Sequence, residues 1–412
     1  MKLRRKVYMV AGYNTISMGT GRSEFHPQKP RPSLEEYIKE AGEQVLEQIG
    51  GAAHVDECVI SNFIAARYNK QANLAAFFPY IDKGLTHKPC VRVEGACATG
   101  GLGLATGIKS ILAETADVVL VVGVEVQNSV KAVYGADILA AAGWYKERKA
   151  GHAHFFPGKF SDRAGAYFEA YGREKTRKAM ARWYRNAIEN ARLCPTAQEF
   201  ENKTDDLEKL ALTEPNPRTF VDHFNVYDCS KVSDGASAIA IVSEEGLKRC
   251  GIDKKDAIEV AGLGQAEYDL TLPPENPLRL ATTQAAFKKA MAMAGITKQQ
   301  LSTVECHDCF TIAAVLAVEA LGFAGPGEGP DFILKGHTAR DGKIPFNTTG
   351  GLIGWGHPTG ATGVHQAVTI WEQLTQKAGN AQISISSEKP YALSVNMGGD
   401  DKTLVAVVYK KT

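Results

Sequence analysis

The sequence predicts an α/β fold of five layers, an α/β/α/β/α sandwich that consists of two repeated βα halves and an inserted loop domain. Strand-like and helix-like segments alternate along the chain, which indicates largely parallel sheets covered by helices. The same series of segments recurs in the second half of the 412-residue chain, at an offset of about 250 residues. The predicted units are residues 1–127 with 228–252 for the first half, 128–227 for the loop domain, and 253–412 for the second half.

Each half runs through its elements in the same order. A strand and a helix come first, and the helix of the first half begins with a capping box at Ser33 and Glu36. A second strand, a second helix and a strand that ends in a glycine-rich elbow follow, and each half closes with paired strands. The predicted strands include 7–12, 57–62, 90–94, 118–126, 236–242, 258–262, 303–308, 392–396 and 403–409, and the elbows are 94–101 and 346–363. We expect the inserted residues, which are rich in basic and aromatic side chains, to lie over the first half.

The composition narrows the functional classes. Hydrophobic residues make up 44% and charged residues 23%, which is typical of a soluble globular chain. A formal net charge of +1 gives no argument for a nucleic-acid or anionic-membrane partner, and no apolar run approaches the ~18 residues of a membrane span. Eight scattered cysteines argue against a disulfide framework and favour a reducing compartment. We expect a cytoplasmic protein that binds neither nucleic acid nor membranes.

Cys97 stands in the first elbow, between a segment that reads as a buried strand and an apolar helix. The strand is predicted at 90–94, and the helix has apolar residues at helical spacing from Leu102 to Leu112. A helix N-terminus that points at a thiol favours the thiolate, through the helix dipole and the free N–H groups. We therefore predict a lowered pKa for Cys97 and a role as nucleophile.

A second candidate site follows the strand at 303–308. His307 and Cys309 alternate with Asp308, so both side chains can face one site at the end of the strand, where ligands bind in open α/β sheets. A buried polar corner would give the same pattern. The Cys306-x-x-Cys309 spacing also fits a zinc or redox pair. However, the sequence offers no second ligand pair at matching spacing, and a thioredoxin-like motif belongs near the start of a small βαβ unit.

Two glycine-rich loops supply the remaining candidates. His357 lies between several glycines and Pro358, which can open the following helix, and the glycines allow the backbone to approach a ligand closely. The loop lacks the Gly-Lys-Ser/Thr ending of a nucleotide P-loop. The loop at 394–401 is either a plain hairpin turn or the source of a backbone N–H donor at Gly398.

Together these motifs resemble those of the thiolase superfamily, over nearly the whole chain. The Cys-Ala-Thr-Gly segment at 97–100 is similar to the family's nucleophile loop, and the segment 356–363 is similar to its Gly-His-Pro motif. Residues 233–238 look like the start of its fifth strand. Most thiolases carry Asn-Glu-Ala-Phe where this chain has His-Asp-Cys-Phe at 307–310, and this form resembles the sterol carrier protein-type branch.

The resemblance implies a thiolase-like five-layer fold and a thiolase reaction. A 3-ketoacyl-CoA would be cleaved by coenzyme A, or formed by the reverse Claisen condensation. Cys97 would form the acyl-enzyme and His357 would activate it. Classical thiolases place an acid/base cysteine in a Cys-x-Gly loop near the C-terminus. This chain has Asn396 there, so the resemblance assigns the acid/base role to Cys309.

The resemblance also implies two oxyanion sites and a set of partners. One oxyanion site would consist of His307 and His357, and the other of the backbone N–H groups of Cys97 and Gly398. Coenzyme A is expected as a substrate, with no covalently bound cofactor and no metal. The family usually dimerises through edge strands of the first half, so a homodimer is expected. The basic, aromatic residues 146–192 would form the CoA platform.

Two alternatives use the same fold. One is a ketoacyl synthase-like condensing enzyme, although the Gly-His-Pro motif favours a thiolase. The other is a thiolase-fold subunit with little activity alone, which needs a small partner with an OB-fold and a zinc ribbon that covers the CoA site. The sterol carrier protein-type branch includes such a case, the thiolase subunit of benzoylsuccinyl-CoA thiolase in anaerobic toluene breakdown, which this chain is expected to resemble.

Overall fold

The computed structural model describes residues 3–26, 28–150 and 154–412. Within them the strands are β1 Tyr8–Asn14, β2 Glu57–Ser61, β3 Cys90–Val93, β4 Val118–Val126, β5 Asp234–Val242, β6 Ile258–Glu267, β7 Leu301–Glu305, β8 Tyr391–Gly398 and β9 Thr403–Lys411. The α-helices are α1 Leu34–Gln48, α2 Ala65–Tyr68, α3 Phe78–Ile81, α4 Thr99–Leu112, α5 Ala132–Leu139, α6 Phe155–Tyr171, α7 Arg173–Ala191, α8 Leu207–Ala211, α9 Glu244–Arg249, α10 Ala281–Ala294, α11 Thr311–Ala320, α12 Gly329–Leu334, α13 Gly351–Gly354 and α14 Thr362–Leu374. In this described part of the chain, no helix is long and apolar enough to cross a membrane.

The strands of the described residues follow one another in the order β3-β2-β4-β5-β1-β6-β9-β8-β7. β1 and β6 pair over a short stretch, Tyr8 with Glu259 and Met9 with Ile258, so the sheets of the two halves meet at a seam. The pairs β2–β3, β2–β4 and β7–β8 are parallel, whereas β1–β5, β1–β6, β4–β5, β6–β9 and β8–β9 are antiparallel. The expectation of largely parallel sheets is wrong, because each half ends in a strand that returns antiparallel beside its predecessor.

Three apolar clusters define the layers. One lies between α1 and the first-half sheet, one surrounds α4 and α14 between the two sheets, and one lies between the second-half sheet and α10 and α11. In β9, Val405 and Val407 belong to the central cluster, and Leu404 and Ala406 to the outer one. This alternation is what a strand covered on both faces requires. The layers therefore follow one another as α/β/α/β/α, and the predicted fold class is confirmed.

Several elements begin and end where local sequence signals are strong. α1 starts directly after Ser33, whose hydroxyl accepts the N–H of Glu36 while the Glu36 carboxylate accepts the N–H of Ser33. β4 has the predicted bounds. The strand expected before the second elbow is reduced to a bridge between Val304 and Phe346, because the chain turns away from β7 directly after that residue pair.

The inserted residues 128–227 pack on both halves: α5 contacts α2 of the first half, as expected, whereas α7 packs on the second half. α7 contacts α11, α12 and α13, and its side chains Met180 and Trp183 share an apolar cluster with Ile312 and Phe346. An amphipathic helix needs an apolar surface for its buried face, and the helices of the second half supply that surface. The exact boundaries of the three units stay a prediction.

Candidate active site

A cavity of about 240 Å³ brings together four of the predicted catalytic side chains, Cys97, His307, Cys309 and His357. Cys97 lies just before α4, His307 and Cys309 follow β7, and His357 precedes α14. Gly399 and aromatic residues of α6 contribute to the wall. The cavity therefore joins residues that are far apart in the sequence and come from both halves.

Cys97 lies in a short 3₁₀ turn, Ala96–Ala98, directly before α4. Ala96 has a φ of 54°, in the left-handed region that costs a non-glycine residue about 1–3 kcal/mol. Thr99 holds this conformation, because its hydroxyl donates to the carbonyl of Ala96 at 2.5 Å. The preceding strand, β3, is an edge strand in which Val91 is 39% exposed, so the predicted burial of this segment is wrong.

The Cys97 thiol is neutral in the free enzyme. Burial raises the pKa of Cys97 to about 12, and the charge of Glu125 adds to the rise. Hydrogen bonds from the backbone N–H groups of Gly399 and of Cys97 itself act in the opposite direction on this pKa. The predicted lowering of the Cys97 pKa is wrong, because the loss of hydration outweighs the helix N-terminus. Cys97 therefore needs a base before it can act as a nucleophile.

His357 has the properties of that base. Its Nδ1 lies 2.7 Å from the hydroxyl of Thr362, and this hydroxyl donates its hydrogen to the carbonyl of Pro358 at 3.0 Å. A hydroxyl has one hydrogen, and with that hydrogen on the Pro358 carbonyl the oxygen accepts from the ring, so we assign the proton of His357 to Nδ1. Nε2 keeps its lone pair, and it is buried without a hydrogen-bond partner among the described residues. Burial lowers the pKa of His357 to about 3, so the ring is neutral.

His307 has the opposite tautomer. Oδ1 of Asn396 accepts the N–H of Gly101 at 2.9 Å, so the amide group Nδ2 faces the other two neighbours. These are the carbonyl of Cys97 at 3.0 Å and Nδ1 of His307 at 3.2 Å. Nδ1 of His307 therefore accepts, and its proton lies on Nε2. Burial, with the neighbouring His357 as a second cause, lowers the pKa of His307 well below its usual value, so this ring is a neutral hydrogen-bond donor.

Cys97, His307 and His357 also form a cluster whose side-chain ligand atoms lie within 4.8 Å of one another. The two rings meet edge to face, with centroids 5.1 Å apart. With these tautomers, Cys97 and His357 offer a lone pair to the centre of the cluster, whereas Nε2 of His307 carries a proton. A zinc site takes at least three protein ligands. The arrangement is therefore suited to proton transfer and hydrogen bonding more than to metal binding.

Cys309 lies on the cavity wall with 8% of its surface exposed, whereas Cys306 is 1% exposed and is not among the described residues that line the cavity. The carbonyl of Cys309 accepts the N–H of Ser230 at 2.9 Å, which connects this loop to the segment that follows the insertion. Burial raises the pKa of Cys309 well above its usual value, and the nearby Cys97 thiol, which would repel a second thiolate, adds to the rise. Cys309 is thus a protonated thiol beside Cys97, and the Cys-x-x-Cys spacing does not place two thiols in one site.

The turn between β8 and β9 places Gly399, and not the predicted Gly398, on the cavity wall. Gly398 ends β8 and packs so tightly that an added Cβ would lie 2.4 Å from the carbonyl oxygen of Gly95. Gly399 has a φ of 66°, which glycine adopts readily, and its N–H favours the Cys97 thiolate, because it opposes the rise in the Cys97 pKa. The structure therefore adds Gly399 as a backbone donor beside the nucleophile, and the role of Gly398 in an oxyanion site stays a prediction.

Glu125, which the sequence analysis missed, joins the two halves beside the site. Its carboxylate is buried, and burial raises its pKa. It accepts the N–H groups of Phe63 (2.8 Å), Ile64 (3.2 Å) and Gly360 (3.1 Å) and the hydroxyl of Thr359 (2.9 Å). The sequence signal that could have identified it is its charge, since Glu125 is the single charged residue in the otherwise apolar β4. Through these contacts Glu125 fixes the loop that carries His357 against the first half.

The basic side chains of the predicted CoA platform are largely engaged in ion pairs. These pairs are Arg148–Asp137, Lys159–Glu147, Arg163–Asp400, Arg173–Glu214, Lys175–Asp331, Arg177–Asp228, Lys178–Glu174, Arg182–Glu208 and Arg185–Glu189. Arg192 donates to the carbonyls of Asn202 and Thr204. Since carboxylates of the chain already offset this charge, residues 146–192 offer fewer free cations to the CoA phosphates than their composition suggests.

Comparison with known proteins assigns the family. The thiolase N-terminal domain matches residues 18–245, and the thiolase C-terminal domain-like family matches residues 255–411. The chain belongs to the thiolase family, and it is an acyltransferase of this class, so both predictions are confirmed. It is 33% identical over 381 residues to the acetyl-CoA acetyltransferase of Methanothermobacter thermautotrophicus, with 92% of this chain and 95% of that protein covered.

Further relatives include a sterol carrier protein and a thiolase subunit. It is 27% identical to sterol carrier protein 2 of Gallus gallus, over 96% of this chain and 70% of that protein. It is also 27% identical to the benzoylsuccinyl-CoA thiolase subunit BbsB of Thauera aromatica, over 93% of this chain and 92% of that protein.

Two solved structures have the same fold. The Ltp2-ChsH2(DUF35) aldolase matches with a TM-score of 0.77 at 19% identity, over 99% of this chain and 98% of that one. Human mitochondrial 3-ketoacyl-CoA thiolase in complex with CoA matches with a TM-score of 0.69 at 17% identity, over 100% and 99%. At these identities the likeness concerns the fold alone.

Proposed function

We propose that the chain is a thiolase that cleaves a 3-ketoacyl-CoA with coenzyme A through an acyl-Cys97 intermediate, or catalyses the reverse condensation. The observation that carries the proposal is the contact that each Nδ1 makes, with Thr362 for His357 and with Asn396 for His307, from which we assign opposite tautomers to the two rings. His357 offers a lone pair to the Cys97 thiol, and His307 offers an N–H donor. The relatives from Methanothermobacter thermautotrophicus and Thauera aromatica are named for CoA thioesters, which supports coenzyme A as the substrate carrier.

The first half-reaction breaks the bond between C2 and C3 of the substrate. The Cys97 proton passes to Nε2 of His357, and the thiolate attacks the C3 carbonyl. The tetrahedral alkoxide collapses, so that C3 stays on the sulfur as acyl-Cys97 and the C2 fragment leaves as an acyl-CoA enolate. Cys309, which is protonated because burial raises its pKa, gives that enolate its proton.

The second half-reaction regenerates the enzyme. The Cys309 thiolate takes the proton of an incoming CoA thiol, the CoA sulfur attacks acyl-Cys97, and the acyl group leaves as acyl-CoA. The Cys97 thiolate then recovers its proton from His357. Each half-reaction is thereby balanced in protons, and neither requires an additional cofactor.

Negative charge builds on an oxygen in each half-reaction, and a donor aimed at such an oxygen is worth about 3 kcal/mol. Nε2–H of His307, together with His357 once it has taken the Cys97 proton, suits the enolate oxygen of the leaving fragment. The N–H of Cys97 and the glycine turn 398–399, with Gly399 on the cavity wall, suit the C3 alkoxide.

The acyl group is expected to be apolar. Beyond the catalytic residues, much of the cavity wall is hydrocarbon or aromatic, and it includes Leu139, Phe155, Phe156, Phe160 and Phe310. A wall of this kind gains free energy by covering apolar substrate surface and offers few partners to a polar chain. A 3-ketoacyl-CoA with an alkyl or aryl acyl group therefore suits the cavity.

A second candidate is a catalytic subunit that needs a partner. The relative from Thauera aromatica is named as a subunit, and the Ltp2-ChsH2(DUF35) aldolase is named with a second component. Most of the described cations of residues 146–192 are already paired with carboxylates, so a partner over the cavity mouth would supply charge for the CoA phosphates. The expected partner is the small OB-fold and zinc-ribbon protein. A ketoacyl synthase-like enzyme has less support, because both thiolase domains match the chain.

We also propose a homodimer and a cytoplasmic location. β3 lies at the edge of the sheet, so its free backbone groups are available to a strand of a second copy. The eight cysteines are all unpaired, which is consistent with a reducing compartment. Size-exclusion chromatography with light scattering measures the oligomeric state, and a monomer at micromolar concentration would contradict the dimer.

Intact-mass spectrometry tests the proposed reaction. The protein is mixed with a panel of acyl-CoA and 3-ketoacyl-CoA thioesters, as the wild type and as Cys97→Ala. We expect an acyl adduct on the wild type whose mass identifies the transferred group, and no adduct on Cys97→Ala. Cys250→Ala, which removes a half-buried cysteine outside the cavity, is the matched control and should still form the adduct.

Two other outcomes have separate meanings. If no thioester leaves an adduct, the same experiment on protein purified with its native partners decides between an inactive chain and a partner-dependent one. Recovery of the adduct together with a small zinc protein would favour the second candidate. Cleavage of the carbon–carbon bond without an adduct at any time would overturn the acyl-Cys97 mechanism.

A further inference from the structure

Arg163 of α6 is an arginine buried beside the turn that carries Gly399. It is 2% exposed, and its Nε pairs with Oδ1 of Asp400 at 2.6 Å. Its Nη1 donates to the carbonyls of Pro277 at 2.9 Å and Arg279 at 3.0 Å. A guanidinium is planar and has its donors in fixed directions, so these contacts fix the position of the Asp400 carboxylate.

Asp400 directly follows Gly399, and the next two residues are also anchored. The Asp401 carboxylate accepts the N–H groups of Thr282 and Thr283 at 2.9 Å each, and so caps α10. Nζ of Lys402 donates to the carbonyls of Asp269 at 3.0 Å and Leu272 at 2.6 Å. Three consecutive side chains therefore hold the turn from outside the cavity. Of these three anchors, the Asp400 contact is the one next to Gly399 in the chain.

α6 also contributes to the cavity itself. Its residues Phe155, Phe156 and Phe160 line the wall, and the Arg163 guanidinium lies over the Phe160 ring at 6.0 Å. One helix thus connects the apolar wall with the turn that carries the Gly399 N–H.

We propose that Arg163 is a positioning residue, which acts through Asp400 to hold the Gly399 N–H against the Cys97 sulfur. Without this contact the turn can shift, and the N–H no longer stabilises negative charge on or near Cys97. The thiolate and the alkoxide formed from it should both lose stability. The second consequence rests on the proposed thiolase function, whereas the first concerns Cys97 alone.

The test uses Arg163→Met and Arg163→Lys. Alkylation of Cys97 by iodoacetamide is followed between about pH 7 and 10 by mass spectrometry of the peptide that contains Cys97, which separates it from the other unpaired cysteines. Loss of one hydrogen bond to the sulfur should slow alkylation about 5- to 10-fold at a given pH in Arg163→Met, since one pKa unit is a factor of about ten in thiolate. With an active thioester, kcat should fall about 10- to 100-fold while KM changes less than about twofold. Arg163→Lys keeps the positive charge but loses the planar, forked set of N–H donors. Its alkylation rate and kcat should therefore lie between those of the wild type and Arg163→Met.

Arg340→Met is the matched control. Arg340 is a partly buried arginine that donates to the carbonyls of Asn380 and Ala381 at 2.9 Å. It lies beside Ser302 near the start of β7, at the end of the strand opposite to His307. This variant should alkylate at the wild-type rate even where its melting temperature falls as far as that of Arg163→Met.

Wild-type alkylation in Arg163→Met, or equal slowing in Arg340→Met, would overturn the proposal. If Arg163→Met does not fold, Asp400→Ala removes the same contact from the other partner and must give the same slowing. Absence of thiolase activity in the wild type would contradict the proposed function and leave the alkylation comparison valid.

Discussion

Thr362 determines which nitrogen of His357 carries the proton, and the isosteric change Thr362→Val tests this role. The Thr362 hydroxyl accepts from Nδ1 at 2.7 Å and donates to the carbonyl of Pro358 at 3.0 Å. Valine keeps the branched shape at the start of α14 but has no acceptor. The carbonyl of Pro358 still accepts the backbone N–H groups of Ala361 and Thr362, so the main change is at the histidine.

The expected fall in kcat follows from the Nδ1–H of His357, a buried donor that would lose its acceptor. Leaving such a group unpaired costs about 1–3 kcal/mol, and His357 can avoid this cost by moving its proton to Nε2. The tautomer with a free Nε2, which is the one that can take the Cys97 proton, then lies about 1–3 kcal/mol above the resting state. At about 1.4 kcal/mol per factor of ten, kcat should fall roughly 5- to 150-fold.

Two measurements check this prediction. Steady-state kinetics give kcat for a thioester that forms the acyl adduct, and ¹⁵N NMR of labelled histidines reports the tautomer of His357. Thr369→Val is the matched control. It lies two turns further along α14 and faces His365 at 3.5 Å, outside the cavity. A Thr362→Val enzyme within twofold of the wild-type kcat, or a wild-type spectrum with the His357 proton on Nε2, would refute the reasoning.

Two further predictions concern the cysteines. Burial raises the pKa of Cys97 to about 12 and lowers that of His357 to about 3, so the two side chains are both neutral in the free enzyme. The rate at which Cys97 is alkylated should therefore rise about tenfold per pH unit between about pH 6 and 10. A plateau of this rate near neutral pH would instead indicate a thiolate–imidazolium pair. Cys309→Ala should form acetyl-Cys97 from acetyl-CoA more slowly, because Cys309 gives its proton to the departing CoA sulfur in that direction, and it should lose about 10²- to 10⁴-fold in the exchange of the acetyl-CoA α-protons with deuterated water. Unchanged exchange would assign the acid/base role to another group, and Cys306→Ala is the control for a buried thiol that does not line the cavity.

The parts of the fold that local sequence signals determine could be predicted. The capping box at Ser33, the apolar segment of β4 and the two glycine-rich elbows each depend on a few neighbouring residues. The repeat of these signals then determined the layer order. The half on which α7 packs could not be predicted from the sequence. Both halves offer apolar helical surfaces to α7, and only the three-dimensional fit decides between them.

The candidate site divides in the same way. The motifs pointed to Cys97, His307, Cys309 and His357, because each has an unusual residue type beside glycines or at the end of a strand. They did not give the direction of the Cys97 pKa shift, which depends on how completely water is removed from the sulfur. Asn396 was read only as a missing cysteine, since its contacts with residues about 90 and 300 positions away have no local signal.

The glycines of the second elbow show why Cys97 and His357 meet. The sequence suggested that these glycines allow a ligand to approach, but the backbone that approaches is that of the first elbow. A Cβ on Gly100 would lie 2.5 Å from the backbone nitrogen of Gly363, and one on Gly363 would lie 2.2 Å from that of Gly101. α4 and α14 therefore contact each other through their first turns, which is possible only without side chains there. Because the nucleophile precedes one of these helices and the base precedes the other, this contact of glycine with glycine sets the distance over which the proton moves.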